Sequence, residues 1–526
     1  MVDAANYHRN RHEKGMVTGM ELELKQETVQ CWETACRTTI EQEETAEMIV
    51  PDARPDIFQV VDGETRLLLQ RKEPQEGKAE FSGLLKTTIL YRPEGEGGLQ
   101  AMEVTLPFSA SPELSCITRR SVLRVTPRVL STDVHLLNPR KVLVRVGCCL
   151  ELEVFSPQVL SPASFVEEAE GYGVRQRPGT LQSLVTVCAQ EKDFTYSDVL
   201  TLPAGRPDAV ELLRTRTECG CSEAKVIGSK LVFKGEAVLK LLCKDEEGGV
   251  FTADFHLPYS QIMEVGESSE DSLCALELFF SDVKCALVEG ERRSFQVDLA
   301  LQAQAVLREQ VEVPVLTDLY STGYELEAER SVLPTLRLVQ QDQAQETLRE
   351  VLPLQEEATG ILDVQVRLGR LDQGQEGKDL ALKQQAELMV LYETGEGPAG
   401  VKKTITVAHR IPEGGDMSCL YRSELLREPT AVLTEEGVEV SFPLAFYWML
   451  LEKGNTEAIS RVTLGDPWEE AADQPSVVLR AVRNGESLWD VAKAYRSSDG
   501  AIMEATGLTT GELYPGQMLL IPRKSG

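Results

Sequence analysis

Hydrophobic and polar residues alternate along much of this chain with a period of two. Val142–Val154 reads VLVRVGCCLELEV, and Phe295–Val306 reads FQVDLALQAQAV. Leu231–Leu242 and Val438–Leu450 have the same alternating or continuously apolar character. A period of two sends successive side chains to opposite faces of a strand, one toward a core and one toward water. Acidic, glycine-rich turns divide the runs: Gly95-Glu96-Gly97-Gly98, Glu247-Gly248-Gly249, Glu289-Gly290-Glu291 and Gly395-Glu396-Gly397-Pro398. The expected architecture is mainly β, made of antiparallel sandwich- or barrel-like units. Two stretches, Ser161–Ala169 and Gln340–Glu350, read as helical inserts or connections.

The pattern repeats at long range. Pro51-Asp52-Ala53-Arg54-Pro55-Asp56 recurs 152 residues on as Pro203-Ala204-Gly205-Arg206-Pro207-Asp208. Leu106-Pro107-Phe108-Ser109 recurs as Leu257-Pro258-Tyr259-Ser260, and Gly83 as Gly235. A third copy is fainter. Leu391-Tyr392 answers Leu90-Tyr91, the Pro-Arg-Pro-Asp word gives way to Leu352-Pro353-Leu354, and His409-Arg410-Ile411-Pro412 stands nearest to the LPFS word. Units of about 150 residues exceed a solenoid repeat, so three tandem domains are expected. Their bounds read as 20–160, with a degenerate start, 180–325 and a weak third at 330–452. Residues 1–19 read as a flexible N-terminus and 453–476 as a linker, in which Trp468 has apolar surface to pack.

The last segment, 477–523, has a different rhythm. Val477–Val482 is a β-branched apolar run, followed by a turn at Asn484-Gly485. Ser487 with Asp490 makes a capping-box pattern, and Leu488, Val491, Ala492 and Tyr495 fall on one helical face. Asp499 reads as the cap of a second helix, Gly507 as its stop, Pro515-Gly516 as a type II turn and Gln517–Ile521 as a returning strand. The order is βααβ.

Charge narrows the function classes. The 526 residues carry a formal net charge of -30. That argues against nucleic acid, whose phosphates need Lys and Arg, and disfavours an anionic membrane surface. No apolar run approaches the roughly 18 residues of a transmembrane helix, and Met1–Leu24 lacks the apolar core of a signal peptide. The 12 cysteines are dispersed, which suits a reduced, cytoplasmic chain. Cys148-Cys149 read as buried thiols.

Two resemblances follow from these words. Gly485-Glu486-Ser487-Leu488-Trp489, Gly507-Leu508 and Leu513-Tyr514-Pro515-Gly516-Gln517 with Ile521-Pro522 resemble a LysM domain, a module that binds N-acetylglucosamine polymers. Where that family has Asp-Thr and Asn, this chain has Glu486-Ser487 and Thr506. The repeated hairpin words, with Leu316-Thr317-Asp318-Leu319-Tyr320-Ser321-Thr322-Gly323-Tyr324-Glu325-Leu326, resemble SPOCS domains. The combined order resembles the SipL-like spore-coat morphogenetic proteins. That resemblance implies a mother-cell cytoplasmic protein at the forespore surface. It would bind the SpoIVA-like coat-basement ATPase through its LysM module, with the repeats as an extended scaffold. Binding of a peptidoglycan or chito-oligosaccharide is the alternative. The groove of a typical LysM maps here to Gly485, Glu486, Ser487 and Leu488, with Leu513, Tyr514, Pro515 and Gly516. Turn and cap chemistry explains most of them, so Glu486 and Tyr514 stand out as contact residues. Trp489 reads either as a wedge against the small core or as a partner surface.

Catalytic signals are weak. Gly377-Lys378 lacks the first glycine and the Ser/Thr of a phosphate loop. None of the five histidines lies in an HExxH, and Cys219-Gly220-Cys221 alone supplies too few ligands for a structural zinc. Neither an enzyme, a cofactor nor a metal site is expected.

Overall fold

The computed structural model describes residues 19–95, 98–468 and 475–523. Residues 1–18 of the expected flexible N-terminus and 469–474 of the expected linker lie outside it. The alternating runs become long strands. In Lys141–Leu160 the inward stripe is Val142, Val144, Val146, Cys148, Leu150, Leu152 and Val154, all buried. The same stripe recurs from Phe295 to Leu307 and from Val438 to Leu450. Each buried Val, Leu or Phe is worth roughly 1.5–3 kcal/mol, so such a stripe fixes which face points inward.

Three copies of one topology result. The first consists of β1 (Val29–Ile49), β2 (Ile57–Gln75), β3 (Lys78–Pro93), β4 (Gln100–Ala110), β5 (Val122–Asn138) and β6 (Lys141–Leu160). The second has β7 (Val174–Thr201), β8 (Glu211–Ile227), β9 (Lys230–Lys244), β10 (Val250–Glu264), β11 (Leu273–Leu287) and β12 (Ser294–Ser321). The third has β13 (Tyr324–Leu352), β14 (Ala358–Glu376), β15 (Asp379–Thr394), β16 (Gly397–Ile411), the split pair β17 (Ser418–Leu425) and β18 (Thr430–Thr434), and β19 (Gly437–Pro467). In every copy the second to fourth strands form an antiparallel meander. The first strand pairs with the last, and the last with the one before it. Meander and long sheet pack face to face around one core per copy.

The copies are not strung out as an extended scaffold. Their meanders converge. In each, a bulge in the first meander strand precedes a residue paired with a leucine: Asp62 with Leu90, Arg214 with Leu242, Asp363 with Leu391. A bulge re-aims the residue that it leaves unpaired. The bulged residues Val61, Leu213 and Leu362 and the three leucines form a shared cluster. Beside it, Arg214 reaches Asp62 (2.5 Å), Asp363 (2.7 Å) and Glu64 (3.2 Å). Two residues further along each strand, Arg216 meets Glu64 (2.8 Å) and Asp363 (2.7 Å), and Gln365 donates to Glu64 (3.1 Å). Equivalent positions of three repeats thus surround one pseudo-threefold axis, with unlike charges.

The register explains the landmark words. Gly83 lies opposite Phe108 and Gly235 opposite Tyr259. The aromatic lies over the glycine so closely that a Cβ on Gly83 would come within 2.6 Å of Phe108 Cε1 and collide with Leu68 O. Tyr259 also donates to Gly220 O (2.8 Å). The third copy has Gln384 opposite Val407 instead. Gln384 is fully buried and fills the space itself, bonding to Gly369 O (2.9 Å) and Ser423 Oγ (2.5 Å). The counterpart of the LPFS word is therefore Ile405–Ala408, and His409–Pro412 follows it. The Pro-Arg-Pro-Asp loops are gripped from the β5–β6 and β11–β12 turns. Arg140 bonds to Asp56 (2.9 Å) and to Arg54 O and Val50 O; Arg293 bonds to Asp208 (2.9 Å) and Arg206 O. The β18–β19 turn has Glu435-Glu436 in that place, and the third loop lacks the word.

Three other expectations need correction. The stretch 453–467 of the expected linker is the end of β19, paired with β13 from Tyr324 to Leu336. Gln340–Glu350 is strand, because pairing with β19 and the half-buried alternation of Ala344 and Leu348 override its helix-forming composition. Within Ser161–Ala169, Ala163–Val166 is a short strand on Leu24–Gln26, and a single 3₁₀ turn follows at Ala169–Tyr172. Cys148 and Cys149 are buried free thiols pushed up to about 11 and about 12 by burial. Cys219 and Cys221 lie in strand β8. No described helix is long and apolar enough to cross a membrane.

Candidate functional site

The C-terminal module has the βααβ order: β20 (Val477–Ala481), α1 (Leu488–Tyr495), α2 (Asp499–Thr506) and β21 (Met518–Pro522). The two strands pair antiparallel. Ser487 caps α1, and with Asp490 completes the capping box. Hydrogen bonds to the Ser487 side chain and backbone hold the Asp490 carboxyl below its usual range. Ser498, not Asp499, caps α2: its hydroxyl accepts from Ala501 N (3.2 Å). Gly507 closes α2 at φ 76°. Leu488, Val491, Ala492, Ile502, Leu519 and Ile521 form the core.

Seven of the eight residues assigned to the groove lie on two loops, and Leu488 opens α1. In the first, Gly485 has φ 81°. The Glu486 carboxylate is held within the module. It accepts from Arg483 N (2.8 Å) and from Arg480 Nη2 (2.6 Å), in that order the main reasons its pKa lies below the usual value. Ser487 is used by the cap and Leu488 by the core. In the second loop, Gln517 N donates to Tyr514 O (3.0 Å) with Gly516 at φ 84°, as a type II turn around Pro515-Gly516 requires. Leu513 packs on the core, and Tyr514 is 67% exposed. Thr506 both accepts from Leu520 N (2.9 Å) and donates to Leu520 O (3.2 Å), fastening α2 to β21.

Two features escaped the sequence reading. The first is the module's seat. Trp489 Nε1 donates to Asp318 (2.9 Å), Lys493 Nζ binds the same carboxylate (2.6 Å), and Tyr320 donates to Ser497 O (2.8 Å). The Trp489 and Tyr320 rings meet edge-on at 4.9 Å. Burial alone would raise the Asp318 pKa, but the bonds from Lys493 and Trp489 bring it below normal. The phrase Leu316–Leu326 is thus where the module docks, through its helix face. The second feature is the far side of its sheet. Val477, Leu479, Met518 and Leu520 are exposed there, beside Tyr514. The signal was present in the apolar runs VVL and MLLI, since a two-stranded sheet over a small core buries only one face.

Comparison with protein families matches this geometry. The SPOCS domain model of SipL matches residues 56–137, covering β2 to β5, and the LysM domain model matches 481–522. Neither a curated protein nor a solved structure gives a match. The two matches support a spore-coat-related protein carrying a LysM domain. More narrowly, its SPOCS and LysM domains are those of a SipL-like protein. Both are non-catalytic domain families. LysM suggests N-acetylglucosamine polymers as one kind of ligand.

Proposed function

We propose that this is a non-enzymatic coat-assembly protein of the mother-cell cytoplasm. It binds the SpoIVA-like coat-basement ATPase through its LysM module and helps the coat encase the forespore. The observation that carries this reading is how the module spends its side chains. A sugar site needs free hydrogen-bonding groups, yet Glu486 and Ser487 are both engaged by their own loop. The outer face of the two-stranded sheet is apolar, with Leu479 at 61% exposure and Met518 at 49%, and the second loop carries Tyr514 at 67%. Tyrosine is among the residues enriched in protein-binding hot spots. The helix face is already used on Asp318 and Tyr320, so the opposite face is the one left for a partner.

The test is capture of the ATPase by the full chain carrying Leu479→Glu with Tyr514→Ala. Loss of capture with unchanged circular dichroism is expected, and full-strength capture would sink the assignment. The glycan reading is favoured by the LysM match and by the exposed Tyr514 ring. It requires saturable chito-oligosaccharide binding that Tyr514→Ala abolishes.

A further inference from the structure

All three repeats line a second junction, a cavity of about 460 Å³ walled by their long sheets and by Arg370–Gln373 of β14. Its walls hold an unbalanced group of charges. Glu153, only 8% exposed, is faced by three arginines. Its Oε1 is taken by Arg37 (2.6 Å) and its Oε2 by Arg124 (3.1 Å). Arg124 also binds Glu277 (2.9 Å), which accepts from Thr126 as well (2.6 Å). Nothing remains for Arg308. It is 6% exposed, its Nη2 stands 3.8 Å from Glu153 Oε1, and no hydrogen bond reaches its guanidinium among the described residues. Arg124 Nε is likewise buried without an acceptor. Three guanidinium groups share two carboxylates. Of the other charged side chains on its walls, Arg128 pairs with Glu151, Arg370 with Asp372 and Glu41, and Arg422 with Glu424, while the exposed Asp342 at the rim bonds, among the described residues, only to Gln340 and Gln343 N.

A buried charge short of a counter-ion is costly, and a guanidinium fork matches the geometry of a carboxylate or phosphate. The cavity has the size of a small-molecule site, and Tyr421 and Tyr447 line its third-repeat wall. We propose that the cavity binds a small oxyanion, a phosphate or a carboxylate, with Arg308 as its principal partner. A ligand held by all three repeats would fasten them together at the opposite sheet layer from the Arg214 cluster.

The test is thermal unfolding and isothermal titration of the full chain at constant ionic strength. Inorganic phosphate and citrate are the probes and chloride the control. Saturable stabilisation by one or both is expected, and which probe acts assigns the phosphate or carboxylate class. Arg308→Gln should weaken the apparent affinity at least tenfold. Arg308→Lys, which keeps the charge but loses the fork, should fall between. Arg337→Gln, exposed and elsewhere, should leave it unchanged. Equal responses of wild type and Arg308→Gln, or no response to either probe, would overturn the proposal. Should Arg308→Gln fold poorly, Arg308→Lys decides: an unaltered affinity also rejects it.

Discussion

Replacing Arg214 by methionine tests whether the three meanders are locked together by charge. Arg214 is 2% exposed at its side chain and holds Asp62, also 2%, with Glu64 and Asp363. Methionine keeps most of the volume but leaves carboxylates facing one another, with Arg216 and Lys402 as the remaining cations. Removing one partner of a buried ion cluster costs about 3–5 kcal/mol. A second route gives an upper bound of similar size, because Arg216, Arg214 and Arg367 share the effect. Burial would raise the Glu64 pKa, but Arg216 and Arg214 bring it from 4.5 down to about 2. That depression corresponds to roughly 3 kcal/mol of folding stability. The sign follows: a depressed carboxylate contributes fully above pH 4.5, and its contribution is lost as pH falls toward about 2. In Arg214→Met the Glu64 carboxyl is less depressed, so the stability lost between pH 4.5 and about 2 should be smaller than in wild type. The assay is urea unfolding followed by far-ultraviolet circular dichroism at pH 7 and along an acid series. The exchange Asp62→Arg with Arg214→Asp restores two carboxylates and one guanidinium to equivalent positions. It should recover at least half of what the worse single variant loses. An Arg214→Met protein as stable as wild type, or an exchange no better than that single variant, would refute the charge lock.

Gly235→Ala should cost about 1–3 kcal/mol, since a Cβ would meet Tyr259 Oη at 2.5 Å and overlap Gly220 O; the urea midpoint measures it. Arg140→Ala and Arg293→Ala should each cost about 1–3 kcal/mol by freeing the Pro-Arg-Pro-Asp loops. Hydrogen exchange should rise at 50–56 in the first variant and at 202–208 in the second. Asp318→Ala removes the acceptor of Trp489 and Lys493, so exchange should rise in 488–495 with the meanders unchanged. Equal protection in α1 would mean that the seat rests on Tyr320 alone.

Much of this molecule was legible because it is written locally. Alternation with seven inward residues names a strand wherever it occurs, and Ser487 with Asp490 names a helix start without help from the rest of the chain. The bonds of Glu486 were hidden for a related reason. Its two acceptor contacts, Arg480 and Arg483 N, come together only once the turn has closed. The third repeat was faint because it solves the same packing problem with different residues. Gln384 and Val407 replace a glycine and an aromatic, so the word disappears although the space is filled. The axis was hidden more deeply. Asp62, Arg214 and Asp363 occupy one position in three copies, and no search for similar residues aligns an arginine with two aspartates. Yet that dissimilarity is what closure requires. Three arginines, or three aspartates, at a dry axis would repel by several kcal/mol, whereas one guanidinium between carboxylates attracts. Divergence between the copies therefore serves the fold. It lets repeats of one ancestral pattern meet at a single point, and it specifies which copy stands where.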